Sequence, residues 1–369
     1  MKKTYKVIFH IDLNAFYATC AIIKEPHLKD KVFVVGGHTS QARGVVSTAS
    51  YKARSYGIHA GMSVLEALGK YPRLIIVPVD FKFYKEMSKK FMQILDSYSD
   101  LVLQASIDEA YLDMTEKSKD MHPLKLALKM QKELVDNHKL PTSIGIAPTL
   151  FLAKMASDMK KPLGITVLRK RDVEKKLYPL SVSEIYGIGR QTYPKLISLG
   201  VETIHDFMNL DNYQKILKVM KDSTYYSFRD YILGNSSNIV DPNKYRIPKS
   251  ISAETTFNSN ISEPSVILDI IMEQLDESLE RLKKHNMLTK TVNIKLKTSD
   301  FKSITRSNTL KTYTNDPELI RYEVTTLFEN EFENGSYRLA GAGLSNLILH
   351  SDNKIPFNLF TYEKFVSKL

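Results

Sequence analysis

The sequence predicts an α+β fold of several domains in which two modules share the order strand, helix, strand, strand, helix, strand. The first module runs from Tyr5 to Ala147, with the segment from about Asn14 to Val79 inserted after its first strand. The second runs from Ser250 to Leu347, and a helical stretch separates the two. The order of the first module is the ferredoxin-like arrangement.

The elements of the first module follow from the period of their apolar residues, which is two in a strand and 3.6 in a helix. A buried strand that ends in Asp12 is predicted to open the module. The predicted elements are strand Tyr5–Ile11, helix Phe81–Tyr98, strands Leu101–Ala105 and Ala110–Asp113, helix Pro123–Asn137 and strand Thr142–Ala147.

The second module repeats this order after a polar linker, Asp241–Pro248. Its first helix shows an apolar stripe, and its second strand alternates apolar and polar residues. The predicted elements are Ser250–Phe257, Pro264–Lys284, Thr289–Thr298, Lys302–Lys311, Pro317–Phe332 and Tyr337–Leu347.

The formal net charge of +11 and the pI near 9.3 predict attraction to polyanions. In the second module the strands are basic and the helices acidic, so we expect the open face of its sheet to lie on phosphates. Lys295, Lys297 and Arg306 are the candidates for that contact. On any single element, a solvated face of mixed charge would explain the same residues.

No apolar run approaches the roughly 20 residues that span a bilayer, so no membrane segment is expected. Cys20 is the single cysteine, which excludes an internal disulfide and makes a zinc site implausible. We therefore expect a reduced, intracellular protein in which Cys20 is a small buried apolar residue.

Three acids form the first candidate site. Asp12 ends the first strand, and Asp108 and Glu109 lie between two strands. Adjacent strand residues point to opposite faces, so these two acids converge only if the chain turns there, as at a hairpin tip. Clustered carboxylates need a cation, and Mg²⁺ prefers oxygen ligands and substrate phosphates. Each acid alone could be an ordinary turn carboxylate, but the apolar residues around them argue against that.

The segments His10–Tyr17 and Ser106–Asp113 resemble the two signature segments of Y-family DNA polymerases, most closely those of the bacterial polymerase IV branch. The resemblance extends from about Val7 to Asn346. It implies that the three acids bind two Mg²⁺ ions with help from the carbonyl of Leu13. It also implies a right-hand polymerase with these parts: palm 1–13 and 80–168, fingers 14–79, helical thumb 169–240, linker 241–248, little finger 249–349 and a C-terminal tail 350–369.

A second constellation lies in the predicted fingers. Tyr51 and Arg54 are three residues apart on a helix and share a face with Thr48 one turn earlier, which suits a triphosphate. A surface helix with an extended arginine is the plainer alternative. The family uses the matching positions on the incoming nucleotide, together with a lysine that Lys161 matches. Spacing alone does not separate Lys161 from Lys160.

The resemblance also implies roles for the aromatic pair Phe16–Tyr17 in nucleotide binding. Tyr17 matches the steric gate, which excludes a sugar with a 2′-hydroxyl, although core packing is the usual fate of such residues. Asn14 stands where many members have Asp, and Ala21 where Glu is frequent. Small residues near the nascent base pair imply low fidelity; they are Val35, Gly36 and Ser47.

Two further segments suggest partners. Ile185–Arg190 resembles a helix-hairpin-helix, in which Gly187 and Gly189 let backbone amides approach a DNA phosphate. A glycine turn between packed helices is the alternative. The tail contains Leu359 and Phe360, which resemble the peptide that binds the sliding clamp, although the usual Gln is absent and packing against the little finger is the alternative.

The expected activity is low-fidelity, template-directed nucleotidyl transfer in translesion synthesis. A primer 3′-hydroxyl attacks the α-phosphate of a dNTP, and pyrophosphate leaves. The expected protein is a monomer on primer-template DNA, in the cytoplasm of a bacterium and associated with the nucleoid. The alternatives are a palm-type nucleotide cyclase and a catalytically inactive DNA- or clamp-binding adaptor.

Overall fold

The computed structural model describes residues 5–37, 43–245 and 247–352. These residues form two compact units. The first comprises 5–37 and 44–245, and the second comprises 247–352 together with Arg43.

The first unit contains eight strands and twelve α-helices in its described residues. The strands are β1 Ile8–Leu13, β2 Phe33–Gly36, β3 Val46–Ala49, β4 Ile75–Val77, β5 Val102–Gln104, β6 Glu109–Asp113, β7 Thr142–Ala147 and β8 Ile165–Val167. The helices are α1 Phe16–Lys24, α2 Tyr51–Ser55, α3 Val64–Lys70, α4 Phe81–Tyr98, α5 Lys117–Asp120, α6 Pro123–His138, α7 Leu150–Asp158, α8 Val173–Lys176, α9 Tyr193–Ile197, α10 Ile204–Met208, α11 Tyr213–Ile216 and α12 Asp222–Ile232.

The central sheet has the order β5-β6-β1-β7-β8, and β1 pairs antiparallel with both of its neighbours. Without the added edge strand β8, this is the predicted ferredoxin-like order. Strand β1 is buried along its whole length, so its two faces meet different cores. Phe9 and Ile11 pack with α4 and α6, whereas Ile8 packs with α7. By alternation, Asp12 shares the α7 face with Ile8 and His10.

The predicted start of the first strand at Tyr5 was wrong. Tyr5 is exposed, and the paired register of β1 begins at Ile8, opposite Asp113 and Ala147. The bounds of α4 and β7 were predicted correctly. Helix α4 begins where the Asp80 side chain accepts a hydrogen bond from the Phe83 amide at 3.0 Å, which satisfies one of the free donors of its first turn.

The insertion after β1 forms a small sheet of order β3-β2-β4 with a core of its own, built on Val34, Val46, Ile58 and Met62. Two of the residues expected to leave room beside a base pair have other surroundings. The Val35 side chain is fully buried, and a Cβ on Gly36 would lie 2.4 Å from the Val45 carbonyl oxygen. Gly36 is therefore required by packing within this sheet.

The helical stretch from α8 to α12 shares one core with α7 and the α7 face of the central sheet. Its helices are short, and several are separated by turns that hold a glycine with positive φ. Gly187 (φ 100°) and Gly200 (φ 78°) lie in two of these turns, where a residue with a Cβ would be strained.

The second unit repeats the predicted order of elements, but its sheet is arranged differently. Its elements are β9 Ser250–Ile261, α13 Pro264–Lys284, β10 Met287–Thr298, β11 Ser303–Thr314, α14 Pro317–Glu331, β12 Tyr337–Ser345 and β13 Ile348–Leu349. The sheet order is β11-β10-β12-β9. In the first unit's ferredoxin-like sheet the first and third strands are neighbours, whereas here the second and fourth are. The predicted stripe of α13 lies in the core, with Leu279 only partly buried.

Two expectations from composition concern the chain as a whole. Cys20 is buried in α1 with a free thiol, as predicted. Among the residues with described structure, no helix combines the length and the apolar character needed to cross a bilayer.

Candidate active site

The sheet register brings two of the three predicted acids together. Asp12 is the antiparallel partner of Glu109, so their side chains lie next to each other on the α7 face. Asp108 occupies the turn before β6, and its carbonyl accepts a hydrogen bond from the Leu13 amide at 3.0 Å. Its carboxylate accepts a hydrogen bond from the Ser106 hydroxyl at 2.6 Å. The predicted hairpin tip is therefore present beside the end of β1.

Lys154, which sequence reasoning missed, bridges these acids. Its side chain extends from α7 and is only 9% exposed. The ammonium group donates to Glu109 Oε1 at 2.7 Å and to Asp12 Oδ2 at 3.2 Å, and lies 3.2 Å from Asp158 Oδ2. Lys154 thus supplies the charge that holds the buried carboxylate of Asp12 beside the half-buried carboxylate of Glu109.

Lys161 approaches the same acid from the loop after α7. Its ammonium group lies 2.7 Å from Asp12 Oδ2 and 2.6 Å from Asp158 Oδ1. Burial opposes its charged form, but these two carboxylates raise the pKa of Lys161 overall. Lys160 is exposed. The geometry therefore singles out Lys161, where the sequence left both lysines open.

The site is short of positive charge. Among the residues that the structure describes, the cations beside Asp12, Asp108, Glu109 and Asp158 are the two ammonium groups of Lys154 and Lys161. Burial raises the pKa of the Asp12 carboxyl, and burial with the charge of Glu109 raises that of Asp108.

This carboxylate-rich site fits a divalent cation, which prefers such oxygen ligands and would supply the missing charge. Within residues 5–37, 43–245 and 247–352, however, no three acidic, histidine or cysteine side chains are already arranged around one point as metal ligands. Asp12 is held by lysines, and Asp108 by Ser106. Metal binding therefore requires these side chains to exchange partners.

His10 is a second residue that sequence reasoning passed over. It is fully buried, and its Nδ1 lies 2.8 Å from the Ser157 hydroxyl, which itself donates to the Lys154 carbonyl. The other ring nitrogen is 3.7 Å from Glu109 Oε2. Burial lowers the pKa of His10, which favours the neutral ring. The sequence signal for His10 was a polar residue between apolar residues of a strand that was predicted to be buried.

Asn14 fixes the loop that carries Lys161. Its amide nitrogen donates to the Ser143 hydroxyl at 2.9 Å, and its side-chain oxygen accepts from the Leu163 amide at 2.8 Å. Where many family members have Asp, Asn14 therefore has an amide whose nitrogen and oxygen are both hydrogen-bonded. These partners are not members of the carboxylate cluster.

The aromatic pair at the start of α1 divides between core and site. Phe16 is buried in the core, whereas Tyr17 is half-buried. The Tyr17 ring stacks on that of Tyr84, with centroids 4.4 Å apart and planes at 19°, and Phe81 meets it edge-on. Burial, together with the charge of Asp108, raises the pKa of Tyr17.

The predicted triphosphate grip lies on α2 and β3. In α2 the Arg54 guanidinium stacks over the Tyr51 ring at 4.8 Å and donates to the Ala49 carbonyl at 3.1 Å. Burial raises the pKa of Tyr51, on which the charges of Arg54, Lys161 and Asp12 also act. The predicted place of Thr48 one turn earlier on the same helix was wrong, because Thr48 belongs to strand β3, where it is half-buried and Ser47 is exposed.

The glycine-rich turn at 185–190 lies beside α7. The Tyr186 amide donates to the Met155 sulfur at 3.3 Å, and the Tyr186 ring lies 6.0 Å from the Lys154 ammonium. Gly187 has a φ of 100°, and nothing lies within 4 Å of where a Cβ on Gly189 would be. The turn thus has open space at Gly189, whereas a Cβ on Gly187 would meet the Phe228 ring at 3.1 Å.

The predicted basic face of the second unit is correct for two of its three candidates. Lys295 and Lys297 point away from the helices, and Lys295 pairs with Glu254 at 2.5 Å. Arg306 is opposite Ile294 in the ladder, so it faces α14, where it pairs with Glu331 at 2.6 Å. Placing Arg306 on the open face was wrong. Leu359 and Phe360 lie outside the described residues.

We expect Lys154→Met to lower the free energy of unfolding by about 3–5 kcal/mol in metal-free buffer, because the buried carboxylate of Asp12 and the half-buried carboxylate of Glu109 lose their shared partner. Urea unfolding with a chelator measures this loss, and added Mg²⁺ should restore part of it. Lys160→Met is the matched control, since Lys160 is an exposed lysine on the adjoining loop. Equal stability of the two variants in the absence of metal would contradict the bridging role.

Two family models match the chain, both described as impB/mucB/samB. The first matches residues 11–158, and the C-terminal domain model matches residues 248–357. The chain is 36% identical to DNA polymerase IV of Oceanobacillus iheyensis over 99% of this chain and 86% of the relative. It is 37% identical to DNA polymerase IV of Listeria monocytogenes over 93% of this chain and 96% of the relative.

Solved structures agree with these relatives. A Y-family DNA polymerase chimera of Dbh and Dpo4 matches with a TM-score of 0.82 at 26% identity, covering 93% of this chain and all of the chimera. An insertion ternary complex of Dbh DNA polymerase matches with a TM-score of 0.67, also at 26% identity and the same coverage.

Proposed function

This chain belongs to the impB/mucB/samB family and is a Y-family, translesion DNA polymerase, and we propose that its nucleotidyl transfer takes place at Asp12, Asp108 and Glu109. The observation that carries this assignment is the pairing of Asp12 with Glu109 at the end of β1, beside the Asp108 turn. In this arrangement Asp12 is buried, Asp108 and Glu109 are half-buried, and the carboxylates outnumber the ammonium groups of Lys154 and Lys161 beside them.

Polymerases of this family depend on divalent metal, and we propose two Mg²⁺ ions as the resident pair. The carboxylates of Asp12, Asp108 and Glu109 would hold them with the carbonyl of Leu13. Such ions activate the primer 3′-hydroxyl and stabilise the leaving pyrophosphate. Lys154 keeps Asp12 and Glu109 adjacent before and between turnovers, because its ammonium group contacts both.

The incoming triphosphate is bound by cations that surround the carboxylates. Lys161 leaves Asp12 for the phosphates, while Asp158 keeps its side chain oriented. Tyr51 and Arg54 contact the phosphates from α2, with Thr48 beside them. The backbone at Phe16 and the ring of Tyr17 lie under the sugar, and Ser47 lies near the new base pair.

Primer-template DNA is the macromolecular substrate. We assign its backbone contacts to the amides at Gly187 and Gly189 and to Lys295 and Lys297, which face away from the helices of the second unit. Arg306 is left out of this surface because it is paired with Glu331 on the helix side.

We divide the chain into the parts of a right-hand polymerase. The ranges are palm 1–13 and 80–168, fingers 14–79, thumb 169–240, linker 241–248, little finger 249–349 and tail 350–369. The separate core of the small sheet supports the fingers, and the break between the two compact units after Tyr245 supports the linker. The shared core of α7 and α8–α12 supports a thumb packed on the palm.

Extension of a primed template by the purified protein, with each dNTP alone and with Mg²⁺ or a chelator, tests the function. A polymerase extends the primer only when metal is present, and it favours the nucleotide complementary to the template. A cyclase would release cyclic nucleotide without DNA, and an inactive adaptor would bind DNA without extension. The relatives support the polymerase over both alternatives.

The tail carries a proposed partner site. We propose that the protein acts as a cytoplasmic, nucleoid-associated monomer tethered to the sliding clamp by Leu359 and Phe360. Replacing both with alanine is expected to abolish clamp binding in a pull-down while leaving extension of a short template unchanged. Lys364→Ala in the same tail is the control. Clamp binding that survives the double substitution would end this assignment.

A further inference from the structure

Phe301 is exposed in a conformation that is unfavourable for its residue type. It lies in the turn between β10 and β11, has a φ of 70° and is 64% exposed. Glycine or asparagine would adopt this left-handed backbone at less cost than a bulky aromatic residue. Solvent exposure and backbone preference both disfavour an apolar ring at this position. Its presence there indicates a functional role.

Two cations accompany the ring. The Arg338 guanidinium stacks 3.7 Å from the ring centroid, and the Lys297 ammonium lies 5.9 Å from it. The one acid in this turn, Asp300, is occupied, because it accepts a hydrogen bond from the Thr298 hydroxyl. The turn is therefore an exposed aromatic ring with a guanidinium stacked on it and a second cation nearby.

We propose that Phe301 is a stacking platform for an unpaired base of single-stranded DNA, whose phosphates are neutralised by Arg338 and Lys297. Sites of this kind combine an aromatic face, which accepts any base, with cations that follow the backbone. The inference rests on the proposed DNA-binding function and adds a base contact that phosphate-binding lysines do not provide.

The charge of the turn favours nucleic acid as the occupant. Tyr322 is equally exposed, at 66%, but it lies on α14, which is rich in acidic residues. A surface that binds a polyanion should therefore use the Phe301 ring and not the Tyr322 ring. Duplex DNA offers phosphates and base edges but keeps the base faces stacked, whereas a single strand offers a base face as well.

The chain contains no tryptophan, which allows a direct test. Phe301→Trp and Tyr322→Trp each carry a sole indole, whose fluorescence falls when it stacks on a base. Titrating the full-length variants with an oligothymidylate of about 12 nucleotides should quench the indole at 301 and leave that at 322 unchanged. An abasic strand of equal charge should bind without quenching either.

Loss of the ring should weaken binding in a base-dependent way. Phe301→Ala is expected to lower affinity for the oligothymidylate by about 5- to 100-fold and to leave affinity for the abasic strand unchanged. Phe301→Leu keeps the apolar bulk and should show the same loss, and thermal melting checks that both variants fold.

The proposal is overturned if the oligothymidylate binds without quenching at position 301, or if alanine weakens both strands equally. The second result would make the turn a structural or protein-docking feature. Either outcome in a wild-type protein that extends primers leaves the polymerase assignment intact. Failure of the wild type to extend would instead remove that assignment.

Discussion

Asp108→Ala is expected to lower the rate of primer extension by about a thousandfold or more. The change removes a proposed metal ligand, and bound metal ions stabilise the transition state by several kcal/mol. The Asp108 side chain contacts only the Ser106 hydroxyl among the hydrogen bonds of the described residues, and its backbone bond to Leu13 does not depend on the side chain. DNA binding and folding should therefore remain close to those of the wild type.

The same change at Asp12 would be harder to interpret. Its removal deprives the ammonium groups of Lys154 and Lys161 of one of the two acids that they share, leaving only Asp158 among the described residues, so stability and chemistry would change together. The control for Asp108→Ala is Asp100→Ala, an exposed acid before β5 at the other end of the hairpin. Single-nucleotide insertion under saturating DNA is the measurement. Extension by Asp108→Ala at the rate of the control would exclude Asp108 from the chemistry.

The central sheet could be predicted because each of its elements has a clear apolar period. Helix α4 buries Tyr84, Met87, Phe91 and Leu95, whose spacing is that of one helix face. The predicted start of the first strand at Tyr5 was wrong because an aromatic residue next to a buried strand fits the pattern of a strand. Only the pairing of residues across the sheet shows where β1 begins.

The arrangement of the second sheet could not be predicted in the same way. The order of elements along the chain is the same in both units, yet the neighbouring strands differ. The face of the sheet on which Arg306 lies, by contrast, could have been predicted from its own strand. Ile304 has the same parity as Arg306 and packs against the core between sheet and helices, which places Arg306 on the helix side as well.

Two of the six charged groups of the site, Lys154 and Asp158, were absent from the sequence prediction. Lys154 lies in a helix in which every residue from Phe151 to Ser157 is buried, so the lysine cannot reach solvent like a surface residue. That pattern was available as a sign of a buried ion pair. Its partners were not, because Asp12 and Glu109 are 142 and 45 residues away and meet it only through the sheet.

Tyr17→Ala is expected to reduce discrimination against ribonucleotides by about 100-fold, since a cavity replaces the ring that would meet a 2′-hydroxyl. The ring is rigidly held by stacking on Tyr84 and by the edge contact with Phe81, so it cannot move aside for a larger sugar. The measurement is the ratio of insertion efficiencies for a dNTP and the matching rNTP opposite the same template base.

Tyr17→Phe separates the ring from its hydroxyl. If exclusion is steric, phenylalanine should retain the wild-type ratio, because its ring can keep the stack on Tyr84. Alanine also removes that stack, so a melting curve for both variants is needed to show that α1 stays folded. A folded Tyr17→Ala protein that still rejects ribonucleotides would assign sugar selection to another residue, and loss of selection in Tyr17→Phe would transfer the role from the ring to the hydroxyl.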